Sequence, residues 1–353
     1  VVQKGAHTFT AQQPQLQLPF LPKGNYRAFE VYENTTPGNF QQGDVVLLGN
    51  GTLNISALAN NQQGRILSEG AVALAGVVNN NQGIVQAATD LQLTGTDISN
   101  IAGVIHAGGA LNISGTSLIN QGGKVSAAGQ SYQLAISGAI DNSLDGILTT
   151  AGNMEITAAS LNNASGLIYQ QGDGSLLLLV DSTLNNNDGT VAAADLTITA
   201  AQLSNNTGLL QGGAVDISTA LLNNNAGTIY QQGSAGQLSI SSGSLTNDAG
   251  QISALADASI SAGQLSNNAG RIESGSTLHL SGGALNNDNG NLVANNIDMQ
   301  LTGALSNNQG TLFAADTLNI AADSIDNTQG TLAANADLQL TVATGLTNNQ
   351  GLL

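Results

Sequence analysis

The fold of this chain is decided by a six-residue phrase, which reads LSNNQG at residues 305–310, LSNNAG at 265–270 and LSNNTG at 203–208. Its pattern of an apolar residue, one further residue and an Asn returns 15 times, at intervals of about 20 residues. A Gly follows three residues after the Asn in 13 copies and four residues after it in the other two, at Gly64 and Gly146. A period of this length is typical of solenoids, in which each repeat forms one coil.

Each repeat contains three short apolar stretches and no helical spacing. GTLFAAD (310–316) is followed by TLNIAA (317–322), where apolar and polar residues alternate, and then by the next Asn phrase. Alternation with period two predicts strands that bury one face. Three strands in about 20 residues cannot enclose a core, whereas stacked coils share one. The sequence therefore predicts an all-β fold, a parallel β-helix with three-strand coils, right-handed because parallel crossovers almost always are.

The repeated Asn is predicted to form a hydrogen-bonded ladder at one corner of the helix. Asn tolerates the left-handed backbone region and Gly adopts it freely, so both residues suit a tight corner. Identical amide side chains that stack coil on coil can also bond to one another. The predicted ladder consists of Asn60, Asn80, Asn100, Asn120, Asn142, Asn163, Asn186, Asn205, Asn224, Asn247, Asn267, Asn287, Asn307, Asn327 and Asn348.

The composition argues against several classes of partner. The net charge is −17, from 23 acidic and 6 basic residues, whereas nucleic-acid binding needs clustered Lys and Arg. The chain has no Cys, which excludes a disulfide framework and thiolate metal sites. It has no run of 18 apolar residues, so we expect no membrane-spanning helix.

The first 45 residues differ from the rest. They hold all four Pro and six of the ten Phe and Tyr, and Pro does not pair in a central strand. We expect residues 1–45 to be a cap, a junction or the end of a neighbouring domain, and residues 46–353 to form the β-helix. Alternatively, this aromatic segment binds a ligand, through Phe20, Tyr26, Phe29 and Tyr32.

Two repeats are longer than most and contain matching phrases, LIYQQGDG (167–174) and TIYQQGSAG (228–236). Extra residues in a coil are extruded as loops on one face, which is often the binding face. Tyr169 and Tyr230 are therefore candidate binding residues, possible contacts for a sugar. The alternative is that both loops are merely tolerated and that the Tyr side chains pack against the solenoid.

No constellation of catalytic or metal-binding residues is found. An Asp recurs before the middle strand, but its offset varies, so a turn role is the simpler interpretation. The three His are far apart in the sequence. We expect no catalytic residue, no metal site and no cofactor, and a polysaccharide-degrading β-helix enzyme is the least favoured hypothesis.

Units such as LSNNQGTLFAADTLNIAADSIDNTQGTLAANADLQLT (305–341) resemble the repeats of filamentous haemagglutinins. These are large exoproteins of Gram-negative bacteria, exported by two-partner secretion, and they include adhesins and the stick-like effectors of contact-dependent growth inhibition. The resemblance covers residues 50–353. It implies a secreted filament anchored at the outer membrane, exported unfolded by an outer-membrane transporter. The secretion domain of the family is not recognisable in residues 1–45, so we expect an internal piece of a longer protein.

Two hypotheses for function follow from the resemblance and the repeats. In the first, the segment is a monomeric rod, a stalk that presents binding or toxin domains for contact between cells. In the second, the segment is itself a receptor-binding region that recognises a protein or glycan on a target cell. The long runs of plain repeats favour the stalk, and the aromatic start and the YQQG loops favour recognition.

Overall fold

The structure, a computed structural model, describes residues 2–3, 7–9, 44–47, 51–56 and 59–353. These residues form 33 β-strands and no helix. They belong to two compact units, Val1–Val180 and Asp181–Leu353. The predicted all-β parallel β-helix is confirmed, with about 15 turns and a spacing of about 20 residues. The right-handed sense stays a prediction.

The strands of the first unit are β1 Val2–Gln3, β2 His7–Phe9, β3 Asp44–Leu47, β4 Thr52–Ser56, β5 Ala59–Asn60, β6 Arg65–Ser68, β7 Ala71–Ala75, β8 Val78–Asn79, β9 Ile84–Ala87, β10 Leu91–Ser99, β11 Val104–Ala107, β12 Leu111–Ile119, β13 Lys124–Ala127, β14 Ser131–Asp141, β15 Ile147–Thr150, β16 Asn153–Asn162 and β17 Leu167–Gln170. Strand β18, Ser175–Asn185, includes the boundary between the units.

The strands of the second unit are β19 Thr190–Ser204, β20 Leu209–Asn223, β21 Thr228–Gln231, β22 Leu238–Thr246, β23 Gln251–Ala254, β24 Ala258–Ser266, β25 Arg271–Ser274, β26 Thr277–Asn286, β27 Asn291–Ala294, β28 Asn296–Leu301, β29 Leu305–Ser306, β30 Thr311–Ala314, β31 Leu318–Asp326, β32 Thr331–Ala334 and β33 Leu338–Thr347.

Strands of successive coils pair in parallel, which places equivalent residues side by side. In the first unit, an inward column of the short strands runs through Ile66, Val85, Ile105, Val125, Leu148 and Ile168. A second column runs through Leu53, Val72, Leu91, Leu111, Tyr132 and Met154. All of these side chains are buried. The alternation of apolar and polar residues therefore builds a core one coil at a time.

The second unit repeats this arrangement. Its short strands align Val191, Leu210, Ile229, Ile252, Ile272, Leu292, Leu312 and Leu332. The strand before the Asn corner aligns Leu203, Leu222, Leu245, Leu265, Leu285, Leu305 and Ile325. Each of these residues is buried, and each either opens the corner phrase or lies two residues after its Gly.

The second and third strands of most coils run on without a break. Strand β10, for example, is continuous from Leu91 to Ser99, although three separate strands per coil were predicted. It pairs with β7 up to Thr94 and with β8 from Ile98. Between these two stretches lies Gly95, where an added methyl group would overlap the carbonyl oxygen of Gly76. A residue without a side chain lets the chain bend while it stays paired with its neighbours.

Two strands lie within the segment predicted to be a non-repeat cap. Strand β1 pairs in parallel with β3, and β2 pairs with β4. The predicted boundary between residues 45 and 46 falls inside β3, which pairs with β6. The segment therefore contributes strands to the first coils, whereas residues 10–43 lie outside the described residues.

Candidate functional site

Side-chain amides form a continuous row at one corner within each unit. In the second unit, Asn267 donates from Nδ2 to Oδ1 of Asn287 over 2.7 Å, and Asn247 donates to Asn267 over the same distance. The row of the first unit is Asn61, Asn80, Asn100, Asn120, Asn142 and Asn163. The row of the second unit is Asn186, Asn205, Asn224, Asn247, Asn267, Asn287, Asn307, Asn327 and Asn348.

From Asn80 onwards, each amide also closes its own corner. Nδ2 of Asn267 donates to the carbonyl oxygen of Gly270 over 3.2 Å, and Nδ2 of Asn80 donates to Gly83 and to Val104 of the following coil. Asn80 and Asn267 are fully buried. A buried amide is costly unless its donors and acceptors are bonded, so the row supplies each member with partners that water cannot reach.

The first member of the row is Asn61, where Asn60 was predicted. Asn61 donates to Oδ1 of Asn80 over 2.6 Å and is buried, whereas Asn60 is partly exposed and accepts from Asn79 outside the row. Gly64 lies three residues after Asn61, as in most repeats. The prediction located the Asn by the apolar residue two positions before it. The distance of three residues to the following Gly is the better guide, because the Asn and the Gly belong to one turn.

The residue two positions after the row Asn carries the left-handed backbone of the corner. Its φ angle is 51° in Ala269 and 58° in Gln309, and it lies in this region in every described coil. In the coil of Asn142, where the Gly comes one residue later, both Leu144 and Asp145 are left-handed. The strain of a left-handed corner therefore falls mostly on residues other than Gly.

The Gly of the phrase serves another purpose than the one predicted for it. Gly270 lies outside the left-handed region, but an added methyl group would overlap the carbonyl oxygen of Asn247 and Oδ1 of Asn267. The corresponding Gly of other repeats, such as Gly310, lies equally close to the row. This Gly is required because the chain passes against the amide row without room for a side chain.

The two YQQG phrases form loops closed by a buried Gln. Oε1 of Gln231 accepts from the backbone amides of Leu255 and Ala256 over 3.1 and 3.3 Å, and its Nε2 donates to the carbonyl oxygens of Gly213 and Gly233. Gln170 is buried and donates in the same way to Ala151 and Gln171. The sequence analysis overlooked these Gln residues, although their shared place in both phrases was a signal.

The candidate Tyr residues lie on outward positions beside these Gln. Tyr169 is next to Thr149 and is 39% exposed. Tyr230 lies between Gln211 and Ser253 and is half-buried. The structure places Tyr169 in the first unit and Tyr230 in the second. The other candidates, Phe20, Tyr26, Phe29 and Tyr32, lie outside the described residues.

Two of the carboxylates before the middle strands bond to the backbone of the next coil. Oδ1 of Asp90 accepts from the backbone amide of Ala110 over 2.8 Å, and Oδ1 of Asp257 accepts from that of Thr277 over 3.0 Å. Hydrogen bonds from Ser276 and Thr277 lower the pKa of Asp257. Across the described chain, no three His, Asp or Glu side chains are grouped so that they could hold a metal ion.

The His side chains of the described repeats are separate. Nδ1 of His106 lies 2.9 Å from Oγ of Ser126, and burial, followed by the charge of Lys124, lowers the pKa of His106. His279 lies 3.6 Å from Asp298 on an exposed face. Within the described ranges, no helix has the length and hydropathy needed to cross a membrane.

Parallel coils joined by an internal amide row define a β-solenoid repeat protein. The family model of the haemagglutinin repeat matches residues 35–130, 133–179, 172–233, 233–297 and 293–351, and the chain belongs to this family. Haemagglutinin repeats are of a non-enzymatic adhesin type and indicate a secreted or cell-surface protein. No curated protein and no solved structure is significantly similar to the chain.

Proposed function

We propose that the chain is a stalk segment of a large exoprotein of a Gram-negative bacterium. In this proposal a two-partner-secretion transporter exports it unfolded, and the coils stack outside the cell, where the filament stays anchored at the outer membrane. The segment then presents adhesive or toxic domains to another cell. An adhesin-like filament segment is what haemagglutinin repeats on a β-helix indicate.

The observation that supports this proposal most is the unbroken amide row within each unit. From Asn186 to Asn348, each Asn donates to its successor over 2.7 or 2.8 Å. Because each coil pairs only with its neighbours, coils can also be added one after another as the chain leaves a transporter. Identical hydrogen bonds between successive coils are suited to a structural element of constant length.

Small-angle X-ray scattering of the 353-residue chain tests the stalk. A stiff stalk of 15 coils gives rod-like scattering with a long dimension of about 70 Å, at about 4.8 Å per coil. The result should not change between low and physiological salt, since hydrogen bonds and packing hold the coils. Scattering from two units that move freely about residue 180 would rule out a rigid stalk.

Recognition by the segment itself is a second candidate function. It is favoured by Tyr169, a large aromatic side chain that is 39% exposed beside the loop closed by Gln170. Flow cytometry with labelled chain and its Tyr169→Ala variant, on Gram-negative and epithelial cells, tests it. Saturable binding that the variant loses supports recognition through Tyr169, and equal binding of the two proteins argues against it.

A further inference from the structure

One outer face of the first unit is apolar. The short strands β9, β11, β13, β15 and β17 each begin one residue after a corner Gly, and their first side chains point outward. Parallel pairing places these five residues side by side, in the order Ile84, Val104, Lys124, Ile147 and Leu167. The four aliphatic side chains are half-buried and Lys124 is exposed. We call this column the aliphatic face.

The second unit has a different surface at the same strand position. From the coil of Asn224 onwards, the position is occupied by Thr228, Gln251, Arg271, Asn291, Thr311 and Thr331. The repeat therefore does not require an aliphatic residue there, and the aliphatic face is a feature of the first unit.

The corner beside this face exposes three further aliphatic side chains, in three successive coils. Ile101 and Ile119 are each 37% exposed, and Leu144 is 64% exposed. Leu144 is also left-handed, with φ at 54°, a conformation that is uncommon for a bulky residue. No large aliphatic residue occupies the corresponding corner positions of the second unit. We call these three residues the aliphatic corner.

Two opposite charges lie where the face meets the corner. Lys124 is the central residue of the face, and the exposed Asp145 follows Leu144 and comes two residues before Ile147. The five short strands of the face contain no Asp or Glu. Among the described residues, neither Lys124 nor Asp145 forms an ion pair. Each charge is therefore available to a partner.

These features together select the chemistry of the partner. An apolar strip that crosses five coils, about 19 Å, indicates a surface for another macromolecule. The partner must bring aliphatic side chains, an anion for Lys124 and a cation for Asp145. A nucleic acid or another polyanion would place like charge against Asp145. A second copy of the chain supplies all three groups.

We propose that the first unit is a self-association surface, through which two copies form a twofold-symmetric dimer. The aliphatic face of each copy lies against the aliphatic corner of the other, and Lys124 of each copy meets Asp145 of the other. Such a contact is isologous, the commonest kind in protein dimers. It goes beyond the stalk function, since a stalk needs no lateral contact, and it argues against the monomeric rod that the sequence predicts.

Sedimentation velocity of the full chain at physiological salt tests the dimer, between about 1 and about 500 µM, the range of weak complexes. We expect the mass to rise from that of a monomer to that of a dimer. Lys124→Glu and Asp145→Lys should each weaken dimerisation about tenfold or more, because each places like charges together. The double variant, Lys124→Glu with Asp145→Lys, should restore it.

A fourth variant, Leu144→Asn, removes an exposed aliphatic group without a demand on the corner, because Asn tolerates the left-handed region. It should also weaken dimerisation about tenfold or more. Asn291→Glu is the matched control for Lys124→Glu, since it adds negative charge at the same strand position of the second unit. It should dimerise like the parent, and thermal melts verify that every variant is folded.

The dimer is overturned if the chain stays monomeric at the highest concentration or if Lys124→Glu dimerises as well as Asn291→Glu. It is equally overturned if the folded double variant dimerises no better than the two single variants. The scattering test of the stalk is made at the dilute end of the range, where the chain is monomeric, so the two proposals can fail separately.

Discussion

At the scale of single residues, three positions of the corner phrase have different structural roles. Asn267 supplies hydrogen bonds between coils, Ala269 takes the left-handed backbone with φ at 51°, and Gly270 passes against the row without a side chain. Each position has its own physical requirement, so a substitution at each should have a different effect on stability.

Replacing a row Asn removes bonds on both sides of its coil. Asn267→Ala loses the bonds to Asn247, Asn287 and Gly270, and at a net value of about 1 kcal/mol each it should lower the unfolding free energy by about 3 kcal/mol. Chemical denaturation measures the loss. The control is Asn268→Ala, whose half-exposed amide donates to Ser266 alone. Equal losses for the two variants would contradict a special role of the row.

Substitutions at the neighbouring residues 269 and 270 should change the unfolding free energy in opposite directions. Ala269→Gly removes the strain of a left-handed Ala, which costs about 1–2 kcal/mol. Because Gly also makes the unfolded chain more flexible, the net gain in unfolding free energy is up to about 1 kcal/mol. Gly270→Ala should destabilise by at least about 2 kcal/mol, because the methyl group meets backbone and row atoms. Thermal melts of both variants measure these changes. Destabilisation by Ala269→Gly would refute the assignment of backbone strain to Ala269.

Tyr132 should make stability depend on pH in the alkaline range. Tyr132 occupies the core column between Leu111 and Met154, and burial raises its pKa. The folded state therefore holds the phenol proton more tightly than the unfolded chain. Its contribution is complete below the unfolded pKa of about 10 and is lost as the pH rises beyond that value towards the folded pKa. Tyr132→Phe should remove this part of the decline in urea unfolding, and an unchanged alkaline slope would exclude it.

At the scale of the elements, the backbone amide that follows the row Asn is satisfied in two ways. Where an Asn or Asp precedes the row, its own side chain accepts in most coils, as Oδ1 of Asp326 does from Thr328 over 3.1 Å. The exception is Asn225, whose amide donates to Oδ1 of Asn206 in the previous coil. Where a Ser precedes the row, the acceptor comes from the previous coil. Asp288 accepts both from Asn308 and from Ser306. A Ser at this position therefore depends on an Asn or Asp one coil earlier.

The buried Gln of a longer coil should matter more for stability than its neighbour. Gln231→Ala removes the side-chain acceptor of Ala256 and the donor to Gly213 and Gly233, while Leu255 keeps its bond to the backbone carbonyl of Gln231. The loss should be about 2–3 kcal/mol. Gln232→Ala changes an exposed side chain that bonds to Gln211 and should stay within about 0.5 kcal/mol of the parent. Equilibrium unfolding compares the two variants, and a small effect of Gln231→Ala would contradict a stabilising role of the buried Gln.

At the scale of the whole molecule, stability should follow the number of coils and their register. Within the second unit, the row Asn residues from Asn247 to Asn327 are 20 residues apart, and each coil pairs only with its neighbours. A change that respects this period leaves every remaining interface of the same kind as before, whereas a change that violates it puts polar residues into the core.

Removal of residues 268–307 takes out two whole coils and joins Asn267 to Asn308, which restores the corner phrase. We expect this variant to keep its β-sheet circular dichroism and a cooperative melt, because nearest-neighbour interfaces carry the stability. Removal of residues 268–297 breaks the register and should abolish cooperative unfolding. Similar melts for the two variants would contradict a stack in which register decides stability.

The sequence by itself determined the features that depend on local pattern. The 20-residue period, the inward column of Leu285 and Leu305, and the row Asn from Asn80 onwards can be read from spacing and alternation, because a solenoid repeats the same local geometry in each coil. Haemagglutinin repeats could be recognised for the same reason.

The tertiary structure alone decided what depends on contact between coils. It selected Asn61 over Asn60, showed that Gly270 is needed for a close approach to Asn247, and turned Gln231 into the core. It also gathered Ser244, Gln264 and Ala284 into one groove. These residues are about 20 positions apart in the chain, so only the stacking of one coil on the next brings them together.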